Sequence, residues 1–116
     1  NISLIRPNGR IVLMMVIYTI KVNRHYEIMK EKELEKILKA LANKRRISIL
    51  KYLKSKGTAS VGDVAGEMKL SFKATSKHLM ILSQVDIVEK EQVSLAMICS
   101  LSKTPHPVAK KVIDLI

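Results

Sequence analysis

From Glu31 onward the apolar positions recur at three and four. Leu34, Ile37, Leu38 and Leu41 alternate with Glu and Lys, which predicts an amphipathic helix to about Leu41. Asn43 can break and recap it. A second helix is expected to about Lys54, burying Ile47, Leu50 and Leu53 and presenting Lys44, Arg45, Arg46, Lys51 and Lys54. Gly57 ends it, because glycine takes positive φ without steric cost. Ser60 is a good N-cap, with Asp63 three residues on, for a short helix from Val61 to about Met68 whose inner face is Val61, Val64, Ala65 and Met68. Lys69-Leu70-Ser71 makes a three-residue turn, and Ser71 caps a helix from Phe72 to about Gln84. Two extended stretches, Ile87–Glu91 and Leu95–Leu101, are joined through Gln92-Val93-Ser94 as a β-hairpin. Pro105 and Pro107 then break the chain before a terminal helix, Val108–Ile116, with Val108, Val112 and Leu115 inward.

The first 30 residues read differently. Pro7, Asn8 and Gly9 signal a turn. Ile11–Val22 is rich in β-branched residues without helical spacing, which predicts a strand or extended arm. The expected organisation is therefore an N-terminal apolar arm or strand and linker over residues 1–30, followed by the folded domain over 31–116.

Composition narrows the chemistry. The chain has 116 residues, enough for one modest core, and a net charge of +11. Residues 31–56 carry nine basic and three acidic side chains, whereas 57–84 carry three and two, so the charge favours a polyanionic partner without locating its site. With one Phe, three Tyr and no Trp, stacking on single-stranded nucleic acid is disfavoured. One cysteine excludes a disulfide framework and any multi-cysteine zinc site, and a cytoplasmic location follows as the default. Cys99 alternates with Met97 and Leu101, which predicts a buried apolar thiol. The run Ile11–Ile20 is too short to span a bilayer. Arg6 and Arg10 precede it, but Lys21, Asn23 and Arg24 follow in place of a cleavage site, so neither a signal peptide nor a membrane anchor is expected. No nucleophile–base constellation, phosphate loop or carboxylate pair is present, and no enzyme or cofactor is expected.

A two-turn helix, a three-residue turn and a longer helix is a geometry that lets one helix enter a major groove. Thr75, Leu79 and Leu82 fall on one face of the longer helix. The opposite stripe, Lys73, Ser76, Lys77, Met80 and Gln84, offers cationic, hydroxyl and amide groups for phosphates and base edges. An ordinary αα-hairpin would show the same pattern.

The flanks add a resemblance. Leu38–Leu53 (LKALANKRRISILKYL), Ser60–Leu82 (SVGDVAGEMKLSFKATSKHLMIL) and Asp86–Ser102 (DIVEKEQVSLAMICSLS) together resemble the ArsR-type transcriptional regulators. The most specific pieces are Leu38–Asn43 and Ser76-Lys77-His78-Leu79. The resemblance implies a mainly α fold with a small β-hairpin wing, the winged helix-turn-helix. It also implies a homodimeric repressor of double-stranded DNA with its first helix and a short C-terminal dimerisation helix at the interface. The residues expected at DNA are Lys73, Ser76, Lys77, Met80, Gln84 and Ser71, with Lys44, Arg45 and Arg46 anchoring phosphates.

Departures from the family pattern are equally specific. Lys69 stands where a turn glycine is usual, which asks a non-glycine residue for a left-handed backbone at a cost of roughly 1 kcal/mol. The hairpin has Lys90, Glu91 and Gln92 where arginines and glycine are usual. Many relatives sense metals through paired cysteines on the first helix of the motif, but Val61–Ala65 holds no Cys or His, so no metal site is expected. His106 and Asp114 lie near the terminal helix and make too thin a ligand set, and the residues name no effector. The alternative reading is a winged-helix adaptor that binds protein and does not read DNA. A third, a membrane-surface protein using Arg6, Arg10 and Ile11–Ile20, is weaker, and no membrane partner is expected.

Overall fold

The computed structural model describes residues 9–116, with the side chains of all but 21–30. The turn expected at Pro7 and Asn8 lies outside the described residues. Five helices and three strands follow in order: α1 (Gly9–Leu41), α2 (Lys44–Lys56), β1 (Thr58–Ser60), α3 (Val61–Met68), α4 (Phe72–Gln84), β2 (Val88–Val93), β3 (Ala96–Leu101) and α5 (Pro107–Leu115). The chain divides into two compact units, residues 1–33 and 34–116.

In the first unit the strand expected over Ile11–Val22 is helix instead, part of α1. The β-branched run misled because its penalty in a helix is only a few tenths of a kcal/mol per residue relative to alanine. No Gly or Pro interrupts residues 10–41, so nothing stops a helix from propagating once it is nucleated. Thr19 Oγ1 donates to the Met15 carbonyl one turn back, at 2.8 Å. Over Ile11–Ile20 the large hydrophobic side chains are exposed, from Ile17 at 43% to Tyr18 at 71%. Among the described residues no helix is long and apolar enough to cross a membrane.

The second unit holds the core. Ile37, Ala40 and Leu41 of α1 meet Ile49, Leu50 and Leu53 of α2, Val61 and Val64 of α3, Leu79 and Leu82 of α4, Cys99 of β3, and Ala109 and Ile113 of α5. Three expected core positions give way to neighbours two residues off. Leu38 is half exposed while Ala40 is buried, Ile47 is only partly covered while Ile49 is buried, and Leu115 is 84% exposed. In α5 the stripe that packs inward is Val108, Ala109, Val112, Ile113 and Ile116, repeating at four, and Leu115 falls off its edge. Lys54 Nζ donates to the carbonyls of Ile113 and Ile116, both at 2.8 Å, and ties the end of α5 to α2.

The sheet is antiparallel in the order β1-β3-β2. Strand β1, which sequence pattern did not suggest, has only one buried residue, Ala59, and too few positions to show alternation. The first strand of the hairpin runs two residues further than expected and the second starts one residue later. Val93 pairs with Ala96, leaving a two-residue turn of Ser94 and Leu95 with Ser94 at φ 56°. Positive φ at the first turn position matches the twist of the flanking strands.

Candidate nucleic-acid interface

Local capping builds the α3–turn–α4 unit. Ser60 Oγ accepts from the Asp63 N–H at 3.0 Å and starts α3. Lys69 ends α3 in the left-handed region at φ 54°, ψ 44°, and the Leu70 N–H donates to the Ala65 carbonyl at 3.0 Å. This is the backbone that the missing glycine implied. Lys69→Gly is accordingly expected to raise unfolding free energy by about 0.5–1 kcal/mol, less than the full left-handed cost because glycine is freer when unfolded. A urea midpoint that does not rise would refute it.

Ser71 then caps α4, its Oγ accepting from the Ala74 N–H at 3.1 Å. Thr75, Leu79 and Leu82 are wholly buried, and the Thr75 hydroxyl donates to the Ser71 carbonyl at 2.9 Å, so the one polar group on the inner face is satisfied. That packing fixes the rotation of α4. Lys73, Lys77, Met80 and Gln84 are exposed, Ser76 is half-buried, and Ser71 is exposed at the helix start. The helix carries no acidic residue. At its other end Asp86, at φ 56°, turns the chain so that Ile87 and Val88 enter the core.

Phe72 belongs to the same face and was not anticipated beyond marking the helix start. It is 61% exposed and forms a wall of a cleft of about 320 Å³ between α4 and the hairpin, with Ser76, Lys90, Gln92, Leu95 and Met97. The spacing to Ser76 and Met80, four and eight residues, is the signal that would have found it. At the hairpin tip Leu95 is fully exposed.

The Lys44–Arg46 cluster splits. Asn43 Oδ1 accepts from the backbone N–H groups of Arg45 and Arg46, at 3.0 and 3.1 Å, and starts α2. Lys44 and Arg45 face solvent. The Arg46 guanidinium turns inward, where Nε donates to the Ala40 carbonyl, Nη2 to the Lys39 carbonyl at 3.1 Å, and Nη1 to His78 Nδ1 at 3.3 Å. The orphan carbonyls at the end of α1 thus find a cationic donor. The bond to Nδ1 requires a neutral imidazole with its proton on Nε2. Burial, then the charges of Arg46, Arg45 and Lys77, hold His78 below its ordinary value of 6.5.

Below about 6.5 the unfolded chain takes up a proton that the folded chain resists, so this contribution is intact above that value and is lost as pH falls through the lowered folded one. Between about pH 8 and pH 5 the urea midpoint of the native chain should fall further than that of His78→Gln. Parallel curves for the two proteins would rule this out.

Cys99 is wholly buried, and burial pushes its thiol up. His106 Nδ1 accepts from the Val108 N–H at 3.2 Å and caps α5, while Asp114 pairs with Lys110 at 3.3 Å. Among the described residues no group of three or more His, Cys, Asp or Glu side chains stands close enough to hold a metal ion.

Residues 43–90, from the α2 cap into the hairpin, match the model of the bacterial regulatory proteins of the arsR family. The chain belongs to the ArsR family. HlyU from Vibrio cholerae is 30% identical, with a TM-score of 0.64 over 74% of this chain and 89% of that one. NolR from Sinorhizobium fredii is 26% identical, with a TM-score of 0.65 over 78% and 86%. The homodimeric winged helix-turn-helix domain of Mb0332 from Mycobacterium bovis, 21% identical, has the same fold at a TM-score of 0.67 over 77% and 79%. No curated protein sequence matches the chain. For an ArsR-family chain the Arg46–His78 bond has a plain meaning, because it joins the two most specific sequence signatures, Leu38–Asn43 with its following arginine and Ser76–Leu79, in one contact.

Proposed function

We propose that this ArsR-family chain is a sequence-specific DNA-binding transcriptional regulator, a cytoplasmic homodimeric repressor that lays α4 in the major groove. One observation carries the reading. The back of α4 is locked by Thr75, Leu79 and Leu82, while its front presents Lys73, Ser76, Lys77, Met80 and Gln84 with no acidic side chain. Such a face supplies phosphate anchors beside groups that reach base edges. Ser71, Lys44 and Arg45 extend the cationic and polar rim, and Arg46 acts from behind by holding α1, α2 and α4 together.

The dimer is supported by the homodimeric Mb0332 domain, and α1 and α5 are the elements expected at its interface. Two-fold symmetry would set the recognition helices about 34 Å apart, one turn of duplex. The absence of Cys and His from Val61–Ala65 supports a repressor without the thiol metal site.

The test is binding to a pool of random duplexes across salt. Affinity is expected to fall steeply between about 50 and 200 mM salt, and sedimentation to show a dimer. A native chain with no salt-dependent duplex binding at low ionic strength would sink the reading. Affinity for a protein partner that survives changing Lys73, Ser76 and Lys77 to Ala would favour the adaptor instead, for which the exposed Leu95 speaks.

A further inference from the structure

We infer that α4 reads thymine methyl groups through Phe72 and Met80, so that its operator carries thymines at two positions along one major-groove face; this rests on the DNA-binding reading above. Phe72, Ser76 and Met80 repeat at four and form one stripe. Phe72 is 61% exposed and Met80 44%, and the inner face of the helix is already filled by Thr75, Leu79 and Leu82. These two side chains are therefore not core filler. They run along a face that is otherwise polar and cationic, with Phe72 at its edge toward the hairpin, where it shares a cleft with Leu95 and Met97.

Charge says what covers them. Lys73 and Lys77 each follow the stripe by one position, and α4 has no acidic residue in any turn. Its N-terminal turn adds the positive end of the helix dipole. The occupant must be a polyanion that offers apolar points within a polar surface. In the major groove the thymine C5-methyl is the only apolar group among the base edges. The helix also lacks arginine and asparagine, two of the commonest bidentate readers of guanine and adenine, which leaves methyl contact a larger share of the discrimination. Phe72 and Met80 are eight residues apart, a rise of about 12 Å, so the two methyl groups should lie within about four base pairs of each other.

Exchanging thymine for deoxyuridine removes the methyl and nothing else. Duplexes selected from a random pool by the native chain are to be remade with each thymine so exchanged in turn. Two positions within about four base pairs should each weaken binding about fourfold, the worth of one methyl group removed from water. Phe72→Ser should abolish the difference at one position and Met80→Ser at the other, and both variants should still fold because the inner face of Thr75, Leu79 and Leu82 is untouched. Equal binding of all uridine duplexes, a selected site without thymine, or discrimination that survives both replacements overturns the inference while duplex binding stands. A native chain that selects no duplex overturns the DNA-binding reading and this inference with it.

Discussion

Arg46→Met is expected to lower the unfolding free energy by about 2–4 kcal/mol, whereas Arg45→Met, one residue away, should change it by less than about 0.5 kcal/mol. The two side chains have equal charge and adjacent positions on α2. They differ in what they touch. Arg45 faces solvent, while the Arg46 guanidinium bonds the carbonyls of Ala40 and Lys39 at the end of α1 and Nδ1 of His78 on α4. Methionine keeps the apolar stem but leaves three acceptors without their donor. A hydrogen bond from a charged group contributes about 1.5–3 kcal/mol, and partial exposure of this site keeps the sum well below three times that. For a domain of this size the melting temperature should drop by roughly 10–25 °C. Since Arg46 is also one of the charges that depress His78, its removal should move that imidazole back toward its ordinary range and flatten the loss of stability below neutral pH. Equal melting of the Arg46 and Arg45 variants would show that the inward guanidinium does not hold the helices together.

The same contact shows where sequence reasoning reaches and where it stops. Helices α3 and α4, their Ser60 and Ser71 caps and the left-handed Lys69 were all legible, because each depends on chemistry within a few residues. So was the burial of Thr75, Leu79 and Leu82, which follows from a single helical period. A run of Lys-Arg-Arg looks solvated, and sequence alone places Arg46 among phosphate anchors; its contact on α4 lies 32 residues on, and no local pattern announces it. Strand β1 is visible only through its pairing of Ala59 with Cys99, forty residues away. The Ile11–Val22 error has the opposite origin. There the local signal was strong but worth little energy, and an unbroken stretch without Gly or Pro outweighed it. Phe72 stands at the first position of α4, where the local signal is capping and not the face that the residue extends.

Changing Lys73 and Lys77 together to Ala is expected to reduce the salt dependence of duplex binding by about two units and the affinity near 0.1 M salt by roughly 60-fold. Each phosphate contact releases close to one counterion, so the logarithm of affinity falls by about 0.9 per contact for each tenfold rise in salt. Losing two contacts removes about 1.8 from that slope, and extrapolation from 1 M, where the ionic contribution vanishes, gives the loss in affinity. Stability should hardly move, since both side chains are exposed on α4 and neither is needed to bury Thr75, Leu79 or Leu82. Lys56 and Lys103, exposed cations at the end of α2 and beyond β3, make the control pair because they remove the same net charge from elsewhere on the chain. If that pair lowered the slope as much as Lys73 and Lys77, general attraction between a basic protein and DNA would account for binding, and α4 would lose its place as the reading helix. A slope that falls only with the α4 pair, at unchanged melting temperature, ties the ionic part of recognition to the same face that carries Phe72 and Met80. Affinity and base choice would then be separable on one helix, the lysines setting the first and the apolar stripe the second.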